Sequence, residues 1–276
     1  MTHDIPRWFS LLKYLIYGLL SLNILLFLQE ETTTATALFT EGFTLELLIQ
    51  AFSATIDTVA WVVLLLMFEL ETFVIPDEAI TGRTKWALHG LRAFAFLFIG
   101  FACFGYVEEM LYYQVVAPLA GNACDLLGQP WSVLVKLDEF VELSAQSCGS
   151  LQGQLWQVGD ALVVTDDAGL KRTRWLAYAD VINSVTWILV VLLLEVDVRL
   201  QLRGEYEGRA LLLSKLMKLA LYSILFSAAV YWWFEGDFLD FWDAFLWLFA
   251  FFFIEQNLFF WQAETEAEHA EAASPQ

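Results

Sequence analysis

Histidine and cysteine are scarce, three of each in 276 residues. His3, His89 and His269 stand far apart and no Cys/His spacing suits a metal, which excludes a zinc motif or a bis-His haem site. No metal site and no cofactor is expected. The prolines are Pro6, Pro76, Pro118, Pro130 and Pro275, and none falls inside a long apolar run, so proline-kinked spans are not predicted. Charge is thin: Asp, Glu, Lys and Arg make up 17% of the chain, against about a quarter in soluble domains. Lys and Arg number only 14, with no basic patch for nucleic acid. A phosphate-cradling Gly-rich loop and a His-based dyad are also missing, which leaves an intramembrane enzyme as the least supported class, and no catalytic residue is assigned.

Apolar residues fill the space that charge leaves. They make up 59% of the chain, with 24 Phe and 12 Trp. Several runs reach the ~20 residues that cross a bilayer core. The chain is therefore expected to be an all-α membrane protein embedded in membrane lipids. Six spans are expected, at about residues 11–29, 48–74, 85–112, 176–198, 211–234 and 241–260. Residues 1–112 hold helices 1–3, 113–173 a small mixed subdomain, 174–262 helices 4–6, and 263–276 an acidic tail expected to be disordered. Within the subdomain, residues 132–143 place Leu134, Leu137, Phe140 and Val141 on one side of a possible amphipathic helix. Residues 155–164 suggest a strand leading into a turn at 166–169.

One stretch is written three times. It reads Asp57, Trp61, Glu69, Glu71, then Asn183, Trp187, Glu195, Asp197, then Asp243, Trp247, Glu255, Asn257, with the same spacing in each copy. It falls on the even spans. The odd spans repeat as well: Lys13 precedes Glu30, Arg92 precedes Glu109, and Lys218 precedes Glu235, each by seventeen residues. At ~1.5 Å per residue this is about 25 Å, close to the hydrocarbon thickness. The first run also resembles a signal peptide ending near Ala35-Thr36-Ala37, but its fit to this rule argues for a retained helix. Glu71 to Arg92 and Asp197 to Lys218 are both twenty-one residues, and both connections carry a Gly-Arg pair, Gly82-Arg83 and Gly208-Arg209. The expected architecture is three helical hairpins with pseudo-threefold symmetry, with the small mixed extracytoplasmic subdomain between helices 3 and 4.

Ten of the fourteen Lys and Arg lie in the N-terminal segment or in and beside the two constant connections. The positive-inside rule then places both termini in the cytoplasm and residues 113–173 outside. The expected location is a bacterial inner membrane. In an oxidising compartment Cys124 and Cys148 of that loop are expected to form a disulfide. Cys103 lies in an apolar run and reads as a small buried residue.

On a helix, Trp61 lies about 40° to one side of Asp57 and Glu71 about 40° to the other. Asp57, Trp61 and Glu71 therefore form one stripe, repeated as Asn183, Trp187, Asp197 and as Asp243, Trp247, Asn257. If the stripes face one axis, they line a path for a cation or small solute. Glu69, Glu195 and Glu255 point away and are expected to form inner ion pairs with Lys13, Arg92 and Lys218, while Glu30, Glu109 and Glu235 are outer carboxylates. The sequence supports a channel or transporter. It also supports a non-catalytic scaffold or accessory subunit that docks another membrane subunit through the outer loop and aromatic helix 6. Three hairpins with charged ends resemble mitochondrial carriers in outline, but the proline-based motif of the odd spans is absent. The first four spans resemble tetraspanins in outline, but only a lone Cys148-Gly149 stands where a double-Cys-Gly signature is needed. Neither family lends a residue role.

Overall fold

The computed structural model describes residues 7–38, 51–70, 82–203 and 208–254. Its long helices are α1 (Arg7–Leu38), α2 (Ser53–Glu69), α3 (Gly82–Tyr112), α4 (Asp167–Leu202), α5 (Gly208–Glu235) and α6 (residues 238–254). Four of them, α1, α3, α4 and α5, are long and apolar enough to cross a membrane. These four helices mark the chain as one that inserts into a bilayer. The described parts of α2 and α6 are 17 residues each. Glu71, Glu255, Asn257 and the acidic tail 263–276 lie outside the described residues.

Helices α3 and α5 begin at Gly82 and Gly208, with φ of +50° and +57°. A left-handed backbone is cheap only for glycine, so the repeated Gly-Arg pair marks the same helix entry twice. α2 packs between α1 and α3, and α4 packs on α3 and α5. The helical core holds Leu20, Leu65, Ile99, Val190, Leu225 and Ala250.

Between α3 and α4 lies a five-stranded sheet: β1 (Val116–Leu119), β2 (Ser132–Lys136), β3 (Glu139–Glu142), β4 (Leu155–Val158) and β5 (Val163–Asp166). The strand order is β1-β4-β5-β2-β3, antiparallel except for the β2–β5 pair. Successive side chains of a strand point to opposite faces. Leu134, Val158 and Val163 pack against Leu176 and Ala229 of the helices. Val133, Leu155 and Val164 pack on the outer side against Trp131, Leu143 and Cys148. The disulfide Cys124–Cys148 is present, with Cα atoms 5.0 Å apart, and staples that outer cluster. Cys103 is half-buried.

The expected amphipathic helix over 132–143 is instead the β2–β3 hairpin. Both faces of β2 are buried, so its apolar residues run without alternation and its true period is masked. Asp138 at the turn takes φ +59°, which ends any helical path there. The single strand expected at 155–164 is two strands folded about Gly159-Asp160. α4 starts at Asp167, nine residues before the expected Leu176. Asp166 Oδ1 accepts the Gly169 N–H at 2.9 Å and so caps the helix.

The sheet is fastened over one end of the bundle. Thr34 of α1 donates to the Asp138 carbonyl at 3.4 Å, and Arg174 Nε to the Tyr113 carbonyl at 3.0 Å. Lys136 Nζ lies 3.5 Å from Asp237 and donates to the Gly236 carbonyl, at the turn between α5 and α6. The opposite end of the bundle carries Lys13, twenty-one residues before Thr34, or about 30 Å along the helix.

Candidate functional site

The three copies of the repeat present the same faces. Asp57, Asn183 and Asp243 are each half-buried, the next residue is buried, the next exposed, and the following two, ending in Trp61, Trp187 and Trp247, are buried. All six of these Asp, Asn and Trp side chains line one cavity of about 40 Å³. The floor is aromatic. The Trp61 ring lies 6.4 Å from Trp187 and 6.2 Å from Trp247, and Phe251 closes on Trp187 at 4.5 Å.

A second cavity, also about 40 Å³, lies towards the sheet and is lined by Glu30, Glu31, Thr34, Glu109 and Asp138. The two share Phe27, Tyr106, Asp180 and Asp240, so they adjoin. Eight carboxyl groups line the pair of cavities, and no Lys or Arg does. One water needs about 10–15 Å³ by this measure, so each cavity has room for about three.

Some of these carboxyls are held by neighbours. Asn23 of α1, fully buried, donates from Nδ2 to Asp243 Oδ1 at 2.7 Å. Glu31 accepts the Ala54 and Thr55 N–H groups at 2.6 and 3.1 Å, where α2 begins. Acceptors suit a helix N-terminus, whose first N–H groups lack intrahelical partners. Asp57 Oδ1 and Asn183 Oδ1 are buried acceptors without a close donor, while the Trp61 indole is turned to the Asp57 carboxyl and the Trp232 indole, in the same cavity wall, to Asp180. In the hairpin turn, burial raises the Asp138 carboxyl to about 6; the Asp237 carboxylate adds to this, and Thr34 and Lys136 oppose it. Among the described residues no group of three or more His, Cys, Asp or Glu is arranged to hold a metal ion.

No family model matches the chain, and no curated protein or solved structure does.

The other named residues lie elsewhere. Lys13 Nζ meets Glu69 Oε1 at 2.6 Å, both buried, and Tyr14 donates to the same oxygen at 2.8 Å. Lys218 meets Asp197 at 2.9 Å, and Ser214 donates to that Asp at 2.6 Å. Asp197 therefore belongs to an ion pair at the far end from the sheet. Glu71 and Asn257, the matching stripe positions of the other two copies, lie outside the described residues. Glu195 pairs with Arg199 one turn on, both exposed, instead of reaching across to another helix. Arg92 is half-buried on α3. Of the three outer carboxylates, Glu30 and Glu109 line the acidic cavity, whereas Glu235 is bound by Arg172 Nε at 2.6 Å.

Sequence reasoning missed Asn23, Glu31, Tyr106, Asp138, Asp180, Trp232 and Asp240. Two had a signal: Asp180 and Asp240 each stand three residues before Asn183 and Asp243, on the same helix face. The first copy has Ala54 at that position, so the triplicate does not display them. A further signal lies fourteen residues after each odd-helix cation, where Phe27, Tyr106 and Trp232 all line the upper part of the site.

Proposed function

We propose that the chain is a membrane transport protein that admits a cation from the sheet side into a carboxylate-lined vestibule between six spanning helices. The observation that carries this reading is the convergence of Asp57, Asn183 and Asp243, from three helices, on one cavity continuous with an acidic antechamber. Ionisable groups inside a membrane protein face its interior and mark ion paths, and clustered carboxylates concentrate cations and exclude anions.

Three hairpins, α1–α2, α3–α4 and α5–α6, about a pseudo-threefold axis account for the pattern. The identical burial sequence of the three motif copies supports this. So do Leu20, Ile99 and Leu225, each seven residues after the helix cation and each at most 2% exposed. The basic end is assigned to the cytoplasm and the sheet to the opposite side by the distribution of Lys and Arg.

The test is cation uptake by liposomes holding the purified full chain. Uptake driven by an inside-negative potential is expected for the wild type and is expected to vanish in Asp57→Asn/Asp243→Asn. Equal uptake by that variant, or by empty liposomes, overturns the proposal. The packed Trp61–Trp187–Trp247 floor favours a second reading, an accessory subunit of a membrane complex. That reading gains if the chain is monodisperse only when purified with another membrane subunit.

A further inference from the structure

We infer that the cation of this site is the proton, carried by cavity water and delivered to Asp57 and Asp243. The inference rests on the transport reading above and names its substrate.

Size comes first. Two adjoining spaces of about 40 Å³ hold a short file of waters but not a metal ion with its hydration shell. A bare metal ion needs several converging oxygen ligands, and no such group occurs among the described residues. The oxygens most available by position are already engaged by donors: Asp243 Oδ1 by the Asn23 amide, and both Glu31 oxygens by backbone N–H groups.

The buried acceptors come next. Trp232 is 3% exposed and lines the cavity, where its indole N–H is turned to the Asp180 carboxyl. Asp57 Oδ1 and Asn183 Oδ1 in the same wall are acceptors without a close donor. Two acceptors from one carboxylate and one amide are too few to replace the hydration shell of a metal ion. Water satisfies both acceptors and, because it donates and accepts, links them to one another. Tyr106 lines both cavities, and its hydroxyl also donates and accepts, which joins the two water pockets.

The titratable groups facing Asp57 across the cavity are Tyr106 of α3, Asp180 of α4, and Asp240 and Asp243 of α6. α1 and α5 present the uncharged Phe27 and Trp232. The elementary step is a transfer from hydronium to carboxylate. One O–H bond of the hydronium breaks, a carboxyl O–H forms, and neutral water remains. Trp61, Trp187, Trp247 and Phe251 pack beyond it, so the described residues load the site from the sheet side, and release at the far end requires this packing to part.

The full chain in liposomes with a trapped pH dye, and in parallel with trapped dyes for sodium, potassium and calcium, tests this. Proton entry without metal-ion entry is expected. Asp57→Asn is expected to lower the proton rate by about 10²-fold, the scale of a lost proton-transfer group, with rescue by Asp57→Glu. Infrared difference spectra are expected to show a protonated-carboxyl band that Asp57→Asn removes, and a monodisperse elution profile confirms that the variant folds. Metal-ion entry that Asp57→Asn abolishes overturns the proton assignment and leaves the cation path standing. Entry of neither overturns both.

Discussion

Removing the Lys13 charge tests how the end of the bundle away from the sheet is held. Lys13 and Glu69 are 4% and 5% exposed, with Nζ and Oε1 at 2.6 Å. Lys13→Met keeps a long apolar stem but leaves the buried Glu69 carboxylate to the uncharged hydroxyls of Tyr14 and Tyr17. A buried charge stripped of its partner costs about 3–5 kcal/mol. At about 2–4 °C per kcal/mol for a chain of this size, the melting temperature falls by about 6–20 °C. Glu69→Gln costs less, because the amide oxygen still accepts from Tyr14 and Lys13. The double variant removes the stranded charge and is expected to recover at least about half of the Lys13→Met loss. Intrinsic tryptophan fluorescence during heating in detergent reads all four proteins. A Lys13→Met protein that melts within about 4 °C of the wild type refutes the reasoning, since a surface pair worth up to about 1 kcal/mol shifts the melting temperature by that much. A double variant no better than Lys13→Met refutes it as well.

Two other outcomes follow from the sheet. The disulfide closes residues 124 to 148, a separation of 24, and cross-linking a loop of that size stabilises by about 3.5 kcal/mol. Cys124→Ser/Cys148→Ser, or reduction, is expected to speed amide exchange across residues 116–166 while leaving the long helices protected; unchanged exchange in the sheet contradicts this. Asp138 has its carboxyl raised to about 6 in the folded chain, above about 3.9 when unfolded. Between these values the native state binds more protons than the unfolded one, so stability falls as pH rises from about 4 to about 6. Asp138→Asn keeps a residue tolerant of the left-handed turn and lacks the titration. Melting temperatures of the two proteins should converge at pH 4 and separate, with the variant higher, at pH 7; a constant gap rules the titration out.

The spanning helices were legible because long apolar runs have few other uses, and the disulfide because two of three cysteines share one loop. The hairpin at Ser132–Lys136 and Glu139–Glu142 was not legible. Val133 packs on one face of the sheet and Leu134 on the other, so no period-2 pattern survives to be read. At the site, spacing alone reached Asp57, Asn183, Asp243 and their Trp partners, because three helices place the same offset on the same face. It did not reach Glu31 or Asn23, whose partners Ala54 and Asp243 lie on other helices at separations of 23 and 220 residues. Nor could it tell that Lys218 meets Asp197 of α4. One turn of helix offers two acids within reach of a lysine, and the choice depends on how α4 and α5 rotate against each other.

The distribution of bases argues that the acidity of the cavity is not an accident of composition. Four basic residues lie between 113 and 174, at the sheet end. Arg172 is bound to Glu235, Lys136 to Asp237, and Arg174 to the Tyr113 carbonyl. Lys171 is exposed. The carboxylates just outside the cavity, Glu235 and Asp237, are thus neutralised, while none of the eight lining it faces a Lys or Arg of the lining. At the opposite end Lys13 and Lys218 each meet an acid directly. A scaffold gains from paired charges, which fix helix order, and pays desolvation for unpaired ones. Under the transport reading proposed above, direct pairing at the rim and at the far end, with no Lys or Arg among the described lining residues, leaves the central carboxyls to charge that arrives from solution.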